Sequence, residues 1–249
     1  MATPTLVGTK TNFASAAVGT SHTISHTVDG GGSNVGLFVI AYSNTGNNTA
    51  FTDCKWNGGS AMSQIVSVVG SFSGGGIMYF QAAPTSGTLN VVITCASKSC
   101  NAFVFQLQDV KQTSPVDATS AGAFSAGATS LNDTGLTTGT NGSLIINWGI
   151  YGSVATAITP AGSETEVAEF VGNSFTRDTQ VQTLPKETAG AQTVGTTWTT
   201  SASIDMYTTS LLYQSSASTT VKTWNGIVRA NLKSLNGTLS ANIKKINGI

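Results

Sequence analysis

Charged side chains are scarce in this chain. Asp, Glu, Lys and Arg make up 9% of its 249 residues, against roughly 25% in an average soluble domain. The formal net charge is zero, which gives no overall electrostatic case for binding nucleic acid or an anionic membrane. Ser, Thr and Asn fill most of the polar positions, beside 28 Gly residues. We interpret such a composition as typical of a protein that is covered in an assembly or works outside a cell.

The chain also lacks the sequence marks of export, membrane insertion and several enzyme classes. Residues 1–19 contain no basic segment followed by a continuous apolar run, so we expect no secretory signal peptide. No apolar stretch approaches the roughly 18 residues that span a bilayer. No G-x-S-x-G, P-loop or H-E-x-x-H motif is present. We therefore expect a protein that is not an enzyme, binds no cofactor or metal, and is released or assembled from the cytoplasm.

Candidate catalytic residues are few. His22 and His26 are the two histidines, and their spacing places them on one side of a predicted strand, which we expect to face solvent. Glu164, Glu166 and Glu169 form the densest carboxylate cluster. Glu164 and Glu166 can share a sheet face, as the carboxylate pair of a glycoside hydrolase would require. Solvated strand residues are the simpler interpretation of these glutamates.

The three cysteines leave two interpretations open. Cys95 and Cys100 flank the segment ASKS between two runs that resemble strands. In an antiparallel hairpin these two cysteines would lie within disulfide distance, although a cytoplasmic origin argues against a disulfide. Cys54 then stays single, as a small buried hydrophobic residue. The spacing of these thiols does not favour a zinc site.

Short runs of β-branched and aromatic residues recur along most of the chain, separated by Gly, Asn, Ser and Pro. Apolar residues recur at every second position in Phe103, Phe105 and Leu107. We therefore expect one face of that strand in a core and the other toward water. We also expect Ile145 and Trp148 in the core. The number and spacing of the runs favour an all-β fold, a two-sheet antiparallel jelly-roll sandwich. The predicted strands are 21–28, 36–43, 61–69, 76–82, 89–95, 101–110, 143–151, 164–170, 176–184, 191–199 and 206–214.

The end of the chain repeats one short phrase. VKTWNGIVRAN, LKSLNGTLSAN and IKKINGI follow one another with a period of eleven residues. We divide the chain accordingly into a body, residues 1–218, and a repeat tail, residues 219–249. The body contains six basic and eleven acidic residues, a net charge of −5, whereas the tail contains five basic residues and no acidic one. The tail is either a solvated appendage or a segment that docks on an acidic surface of a neighbouring copy or of another protein.

Two conformations of the repeat tail are open. Its apolar residues, at spacings of 3, 4 and 4, fit a right-handed helical coiled coil. Each interior Gly costs a helix roughly 0.8–1 kcal/mol relative to Ala, whereas Asn-Gly is the strongest signal for a type I′ turn. We therefore favour short strands that turn at each Asn-Gly. Repeats this short gain stability only by stacking on neighbours, so we predict an assembly interface. It comprises Val221, Trp224, Asn225, Gly226, Val228, Leu232, Leu235, Asn236, Gly237, Leu239, Ile243 and Ile246.

Several segments of the body resemble a family of jelly-roll domains in phage and environmental proteins. They are SHTISHTVDGGGSNVGLFVIAYS, KWNGGSAMSQIVS, IMYFQAAPTSGTLNVVIT, FQLQDVKQTSPVDA and NGSLIINW. The shared features are a Gly-Gly turn before a strand, an AP-x-SG turn, a V-x-Q-x-x-P-x-D corner and a GSL strand start. This resemblance covers about residues 15–215. The repeat tail is similar to the IK-x-hydrophobic-NG repeats at the ends of phage virion proteins.

Together these resemblances imply a structural protein on the surface of a phage virion: a capsid decoration protein, a head fibre or a tail-fibre component. Its partners would be other virion proteins, and analogy with fibres favours a homotrimer. The repeat tail would mediate oligomerisation or attachment. The alternative is a carbohydrate-binding module or lectin, including a receptor-binding fibre domain, in which Trp56 and Trp198 would stack on a cell-surface glycan. In a sandwich, aromatic residues at such positions are more often part of the core.

Overall fold

The computed structural model describes residues 2–43, 51–70, 75–120, 122–152, 157–170 and 178–214, and four residue pairs of the repeat tail, 223–224, 227–228, 234–235 and 238–239. The chain divides into two compact units, Met1–Ser215 and Ser216–Ile249. Strands are the regular secondary structure throughout the described residues. In these ranges we find no helix with the length and apolarity needed to cross a membrane.

The first unit contains two antiparallel sheets. The first sheet comprises β1 (Thr5–Val28), β2 (Gly36–Ser43), β3 (Phe51–Trp56), β4 (Ser63–Val69), β5 (Gly75–Ala82) and β6 (Gly87–Gln108). The second sheet comprises β7 (Val116–Thr119), β8 (Ala123–Thr138), β9 (Ser143–Tyr151), β10 (Ile158–Pro160), β11 (Thr165–Phe170), β12 (Asp178–Lys186) and β13 (Gly190–Leu211). The predicted all-β, two-sheet sandwich of jelly-roll type is confirmed.

The predicted strand positions agree with the structure at several places and differ where a strand bends. The predicted strands 36–43 and 143–151 are β2 and β9. The predicted strands 89–95 and 101–110 are parts of one strand, β6, of 22 residues. Likewise 191–199 and 206–214 belong largely to the single strand β13, also of 22 residues. The polar segments between them continue the ladder with a neighbouring strand instead of reversing the chain.

The two sheets share one connectivity. The first has the order β1-β6-β2-β5-β4, with β3 also paired to β6. In the second, β13 pairs with β7, β8, β9 and β10, and the order continues β9-β12-β11. Strands β2 to β6 therefore correspond in order to β9 to β13, and β1 corresponds to β7 and β8 together. A bulge interrupts the equivalent edge ladders, between Gln64 and Val66 and between Glu166 and Ala168.

The two long strands also begin in the same way. Gly87 opens β6 with a φ of 117°, and Gly190 opens β13 with a φ of 137°. Side chains larger than hydrogen rarely adopt this backbone region, so both turns depend on glycine. Taken with the shared strand order, this shows that the body repeats one structural unit twice. None of the sequence patterns described above predicts this internal repeat.

The two sheets face each other across an apolar cluster centred on Trp148. The Trp148 ring lies 5.7 Å from the Tyr42 ring and 5.0 Å from the Tyr207 ring. A Cβ on Gly76 would lie 2.3 Å from Cζ3 of Trp148, so this glycine makes room for the indole. The expected core residues are confirmed as buried, namely Phe103, Phe105, Leu107, Ile145 and Trp148.

Central strands are buried on their outer face as well, as β2 and β9 show along their whole length. A second cluster joins Val91 and Ile93, from the first half of β6, to Ala102 and Val104 from its second half. Both halves of one strand can contact the same cluster only if the strand bends. Shifts of register in the β1–β6 ladder between Ser15 and Ser21 mark that bend, and jelly-roll layers arise from such shared, bent strands. The expectation that the face opposite Phe103 and Phe105 meets water is therefore wrong.

The bend also corrects the cysteine prediction. Cys95 and Cys100 lie on one continuous strand rather than in the two arms of a hairpin, and both are free thiols. The Cys95 thiol donates a hydrogen bond to the carbonyl of Gly19 at 3.1 Å. Burial raises the pKa of the Cys54 and Cys100 thiols, which keeps both protonated. Cys54 packs within the second apolar cluster, so its predicted role as a small buried hydrophobic residue is confirmed.

We predict that Phe105→Ala destabilises the body. The Phe105 ring is fully buried and stacks on Phe38 at 5.6 Å. Truncating such a side chain costs about 3–5 kcal/mol, because a cavity remains. Phe124→Ala is the matched control, since Phe124 is 61% exposed and surface changes usually stay within about 0.5 kcal/mol. Denaturant unfolding of both variants measures the difference. Equal stability of the two variants would contradict the assigned core.

Candidate functional site

The repeat tail forms two equivalent ladders in the second unit. Strand β14 (Thr223–Trp224) pairs with β15 (Ile227–Val228), and β16 (Ser234–Leu235) pairs with β17 (Thr238–Leu239). Each residue of the first ladder has its counterpart eleven positions later in the second. The described part of the tail therefore adopts strands, the conformation that Asn-Gly favours, and the repeat of the sequence is also a repeat of the backbone.

The predicted assembly interface lies partly in these ladders. Trp224, Val228, Leu235 and Leu239 belong to the four short strands. The other predicted interface residues lie outside the described residues: Val221, Asn225, Gly226, Leu232, Asn236, Gly237, Ile243 and Ile246. Two residues, Asn-Gly in each case, separate the paired strands.

The two tryptophans proposed to stack on a glycan are core residues. Trp56 is 5% exposed, and its indole N–H donates to the carbonyl of Thr85 at 3.2 Å. Trp198 is 4% exposed and packs edge-on against Tyr151, with ring centroids 5.3 Å apart. Neither indole presents a face to solvent. The prediction of stacking platforms is therefore wrong, and the interpretation of both residues as core aromatics is confirmed.

The histidines are buried, contrary to expectation. His22 and His26 share one face of β1, but the bend turns that face toward the second apolar cluster. The Nε2–H of His22 donates to the Lys98 carbonyl at 2.9 Å, and Nδ1 of His26 lies 2.8 Å from the Thr11 hydroxyl. The His26 ring meets Trp56 edge-on at 6.2 Å. Burial lowers the pKa of His26 from its ordinary value of 6.5 to about 4, although Asp29 opposes the shift.

Two glutamates of the second sheet accept hydrogen bonds from backbone amides. Glu164, which is 8% exposed, accepts hydrogen bonds from the backbone N–H of Gly162 at 2.9 Å and of Gly195 at 2.8 Å. Glu169 accepts one from the N–H of Ile158 at 3.1 Å. Glu166 is exposed and follows the buried Glu164. Since Glu164 is occupied by two amides, the pair does not form the open carboxylate site of a glycosidase.

Two aspartates of the second sheet also accept hydrogen bonds from backbone amides. The Asp117 carboxylate accepts hydrogen bonds from the N–H groups of Gly139 and Thr140 at 2.9 and 3.3 Å. The Asp133 carboxylate accepts from the N–H of Gly135 at 2.8 Å and from the Thr208 hydroxyl. These carboxylates fix turns and strand ends. Within the described ranges, no group of three or more His, Cys, Asp and Glu side chains could hold a metal ion.

A shallow polar groove of ≈ 300 Å³ lies at one corner of the first sheet. The side-chain amides at this corner already have hydrogen-bond partners. The Asn34 amide donates to the Gln214 carbonyl, and the Gln214 side-chain amide donates to the Asn34 side chain. Gln112 accepts from the Ala83 N–H at 2.9 Å. Asn34 and Ala83 adopt positive φ, at 48° and 42°. Because Gln214 follows the last strand of the second sheet, this corner ties the two repeated halves together.

A second groove, of ≈ 390 Å³, runs between strand β4 and the residues Thr119 and Ser120. Within the described residues, strand β4 lies at the end of the first sheet's strand order and pairs with β5. Its Val69 side chain is 62% exposed. The strand patterns of the sequence do not predict this groove; one related signal is that no charged residue occurs between Lys55 and Lys98.

We predict that the body loses stability in acid through His26. A native pKa below the unfolded one means that the unfolded chain binds the proton at higher pH. The contribution of neutral His26 is therefore present above pH 6.5 and lost as the pH falls toward about 4. His26→Gln should flatten the pH dependence of the unfolding free energy in this window. An unchanged dependence, measured by denaturant unfolding across the window, would show that His26 is not its source.

We predict that Glu164→Ala destabilises the body by about 1–3 kcal/mol, because the buried Gly195 amide loses its acceptor and the Gly162 turn loses a hydrogen bond. Glu166→Gln is the control, since Glu166 is exposed on the same strand region. Thermal unfolding monitored by circular dichroism compares the two. If Glu164→Ala unfolds at the same temperature as Glu166→Gln, the carboxylate does not stabilise the turn.

Comparisons with known proteins give no relative for this chain. No protein-family model matches it, no curated protein is significantly similar to it, and no solved structure matches its fold significantly.

Proposed function

We propose that this chain is a structural protein of a phage virion, displayed on the particle surface and assembled through its repeat tail. The observation that carries the proposal is the recurrence of one two-stranded ladder every eleven residues, in a unit distinct from the body. Repeated elements this small gain stability by stacking on neighbouring elements. A tail of such elements is suited to contact identical tails or another virion protein.

The charge distribution supports the same function. The tail carries five basic and no acidic residues, while the body has a net charge of −5. Opposite charges on two surfaces speed their encounter and favour the correct partner. The partner of the tail would be an acidic surface, either on neighbouring copies in a homotrimer or on another protein of the capsid, neck or tail.

The body is suited to display rather than to chemistry. The carboxylates Glu164, Asp117 and Asp133 are engaged with backbone amides, and the two histidines are buried. A sandwich whose carboxylates fix turns in this way is suited to serve as a surface module. Carbohydrate binding remains the alternative, but Trp56 and Trp198 no longer support it.

We predict that Trp224→Ala abolishes self-association or virion attachment and leaves the body folded. Tryptophan is among the residues that most often dominate binding energy at interfaces. Ser240→Ala, a repeat position outside the predicted interface, is the matched control. Sedimentation measures association, and circular dichroism measures folding. If Trp224→Ala associates as strongly as the control, the tail is only a solvated appendage.

We also predict that tail-mediated association weakens as salt rises. The five positive charges of the tail are screened over about 10 Å at 0.1 M salt but over about 3 Å at 1 M. The dissociation constant should therefore rise between these salt concentrations. A constant that does not change with salt would show that charge contributes nothing to the contact.

A further inference from the structure

The dipeptide Asn-Gly carries a reaction of its own, the deamidation of the asparagine. The glycine backbone nitrogen attacks Cγ of the asparagine side chain, and the new C–N bond closes a succinimide ring. The Cγ–Nδ2 bond breaks, and ammonia leaves with the proton that the glycine N–H gives up. Water then opens the ring at one of its two carbonyls, which leaves aspartate or isoaspartate. Glycine favours this reaction because it has no side chain to hinder its nitrogen.

Two Asn-Gly pairs of the body lie within the described residues, Asn57-Gly58 and Asn141-Gly142, and both asparagines are exposed. Since the two pairs contain the same reacting groups, the fold decides between them. The asparagine side chain must be able to turn toward the glycine nitrogen, and that nitrogen must be able to lose its proton. A hydrogen bond to either group opposes ring closure, because it has to break first.

The fold protects the pair at Asn141. Its Oδ1 accepts a hydrogen bond from the backbone N–H of Ala189 at 2.6 Å. The N–H of Gly142 donates to the Glu187 carbonyl at 3.3 Å, and Gly142 is buried. Both the side chain that would be attacked and the nitrogen that would attack it are therefore held by hydrogen bonds.

The pair at Asn57 has no such protection. Among the residues that the structure describes, neither the side-chain amide of Asn57 nor the N–H of Gly58 has a hydrogen-bond partner. Both residues are exposed, and a Cβ at Gly58 would meet no atom within 4 Å beyond its chain neighbours. Ring closure at Asn57 therefore has no hydrogen bond to break, and water can reach the ring.

The unprotected pair occupies a turn that supports the core. Asn57 and Gly58 have φ angles of 55° and 66°, and the Gly59 N–H donates to the Trp56 carbonyl at 3.1 Å, as in a type I′ turn. The Trp56 side chain, directly before the turn, belongs to the second apolar cluster. Isoaspartate at position 57 adds one carbon to the backbone of this turn, so the hydrogen bond that closes it cannot keep its geometry.

We propose that Asn57 is a site of spontaneous deamidation, and that isoaspartate formed there loosens the turn that follows Trp56. The step requires only the turn and water. It places a carboxylate in residues 56–97, which otherwise contain no charged side chain. The site lies in the body and does not depend on the function proposed for the repeat tail.

The test follows the full chain during incubation at mildly alkaline pH, which favours loss of the glycine proton. Cleavage after lysine and arginine places the two pairs on different peptides, and mass spectrometry measures the aspartate and isoaspartate formed in each. Because two hydrogen bonds protect Asn141, we expect deamidation at Asn57 to be about tenfold faster or more. Equal rates, or a faster reaction at Asn141, overturn the proposal.

The same measurement on the chain unfolded in guanidinium chloride supplies the control. Asn57 and Asn141 should then react at similar rates, since the protecting hydrogen bonds are absent. A difference that persists in the unfolded chain overturns the assignment of the difference to the fold.

Hydrogen exchange tests the loosening of the turn, with Asn57→Gln as the matched variant that keeps an amide but does not close a succinimide. Each protein is compared before and after the same incubation. The Gly59 amide, which donates to Trp56, should exchange faster after incubation of the unmodified sequence and should not change in Asn57→Gln. Unchanged exchange in both proteins, despite isoaspartate at position 57, overturns the loosening.

Discussion

The packing of Trp148 between the two sheets is the contact on which the architecture of the body depends. Its ring touches Tyr42 from the first sheet and Tyr207 from its own, and it occupies the space that a side chain on Gly76 would need. A buried aromatic of this size contributes both apolar area and ring geometry. Because one indole contacts both repeated halves, it fixes the distance between the sheets, and the two halves cannot shift independently.

Burial of both faces of the central strands, such as β2 and β9, contributes to the scarcity of charge. Strands whose two faces are covered have no solvent side on which lysines and glutamates would lie, so most of their polar positions are filled by neutral groups. In the second half these groups form a buried layer, in which the Asn147 side-chain amide donates to Gln182 at 3.2 Å. The apolar residues on that face are consequently divided into two small clusters, whereas the first half has one large cluster. The repeated halves share a backbone but not a core.

The body and the tail also differ in how their charged residues are distributed. Carboxylates of the body stabilise turns, and five of the eleven basic residues lie in the repeat tail. The proposed virion role requires a contact made by the charged, repetitive tail.

The sequence by itself determined the all-β class, the core positions of Phe105 and Trp148, and the strand signal of the Asn-Gly repeats, because alternation and turn residues act over a few neighbours. The tertiary structure decided the rest. It bent β6 and thereby buried His26, Cys95 and Trp56, although local patterns had suggested a solvent face, a hairpin and a glycan platform. Bending is decided by contacts between strands far apart in the sequence, and a pattern of period two cannot distinguish water from a second layer. The internal repeat was not predicted for the same reason. Its two halves share strand pairing and bulge positions, which are properties of the backbone, and their side chains do not show this similarity.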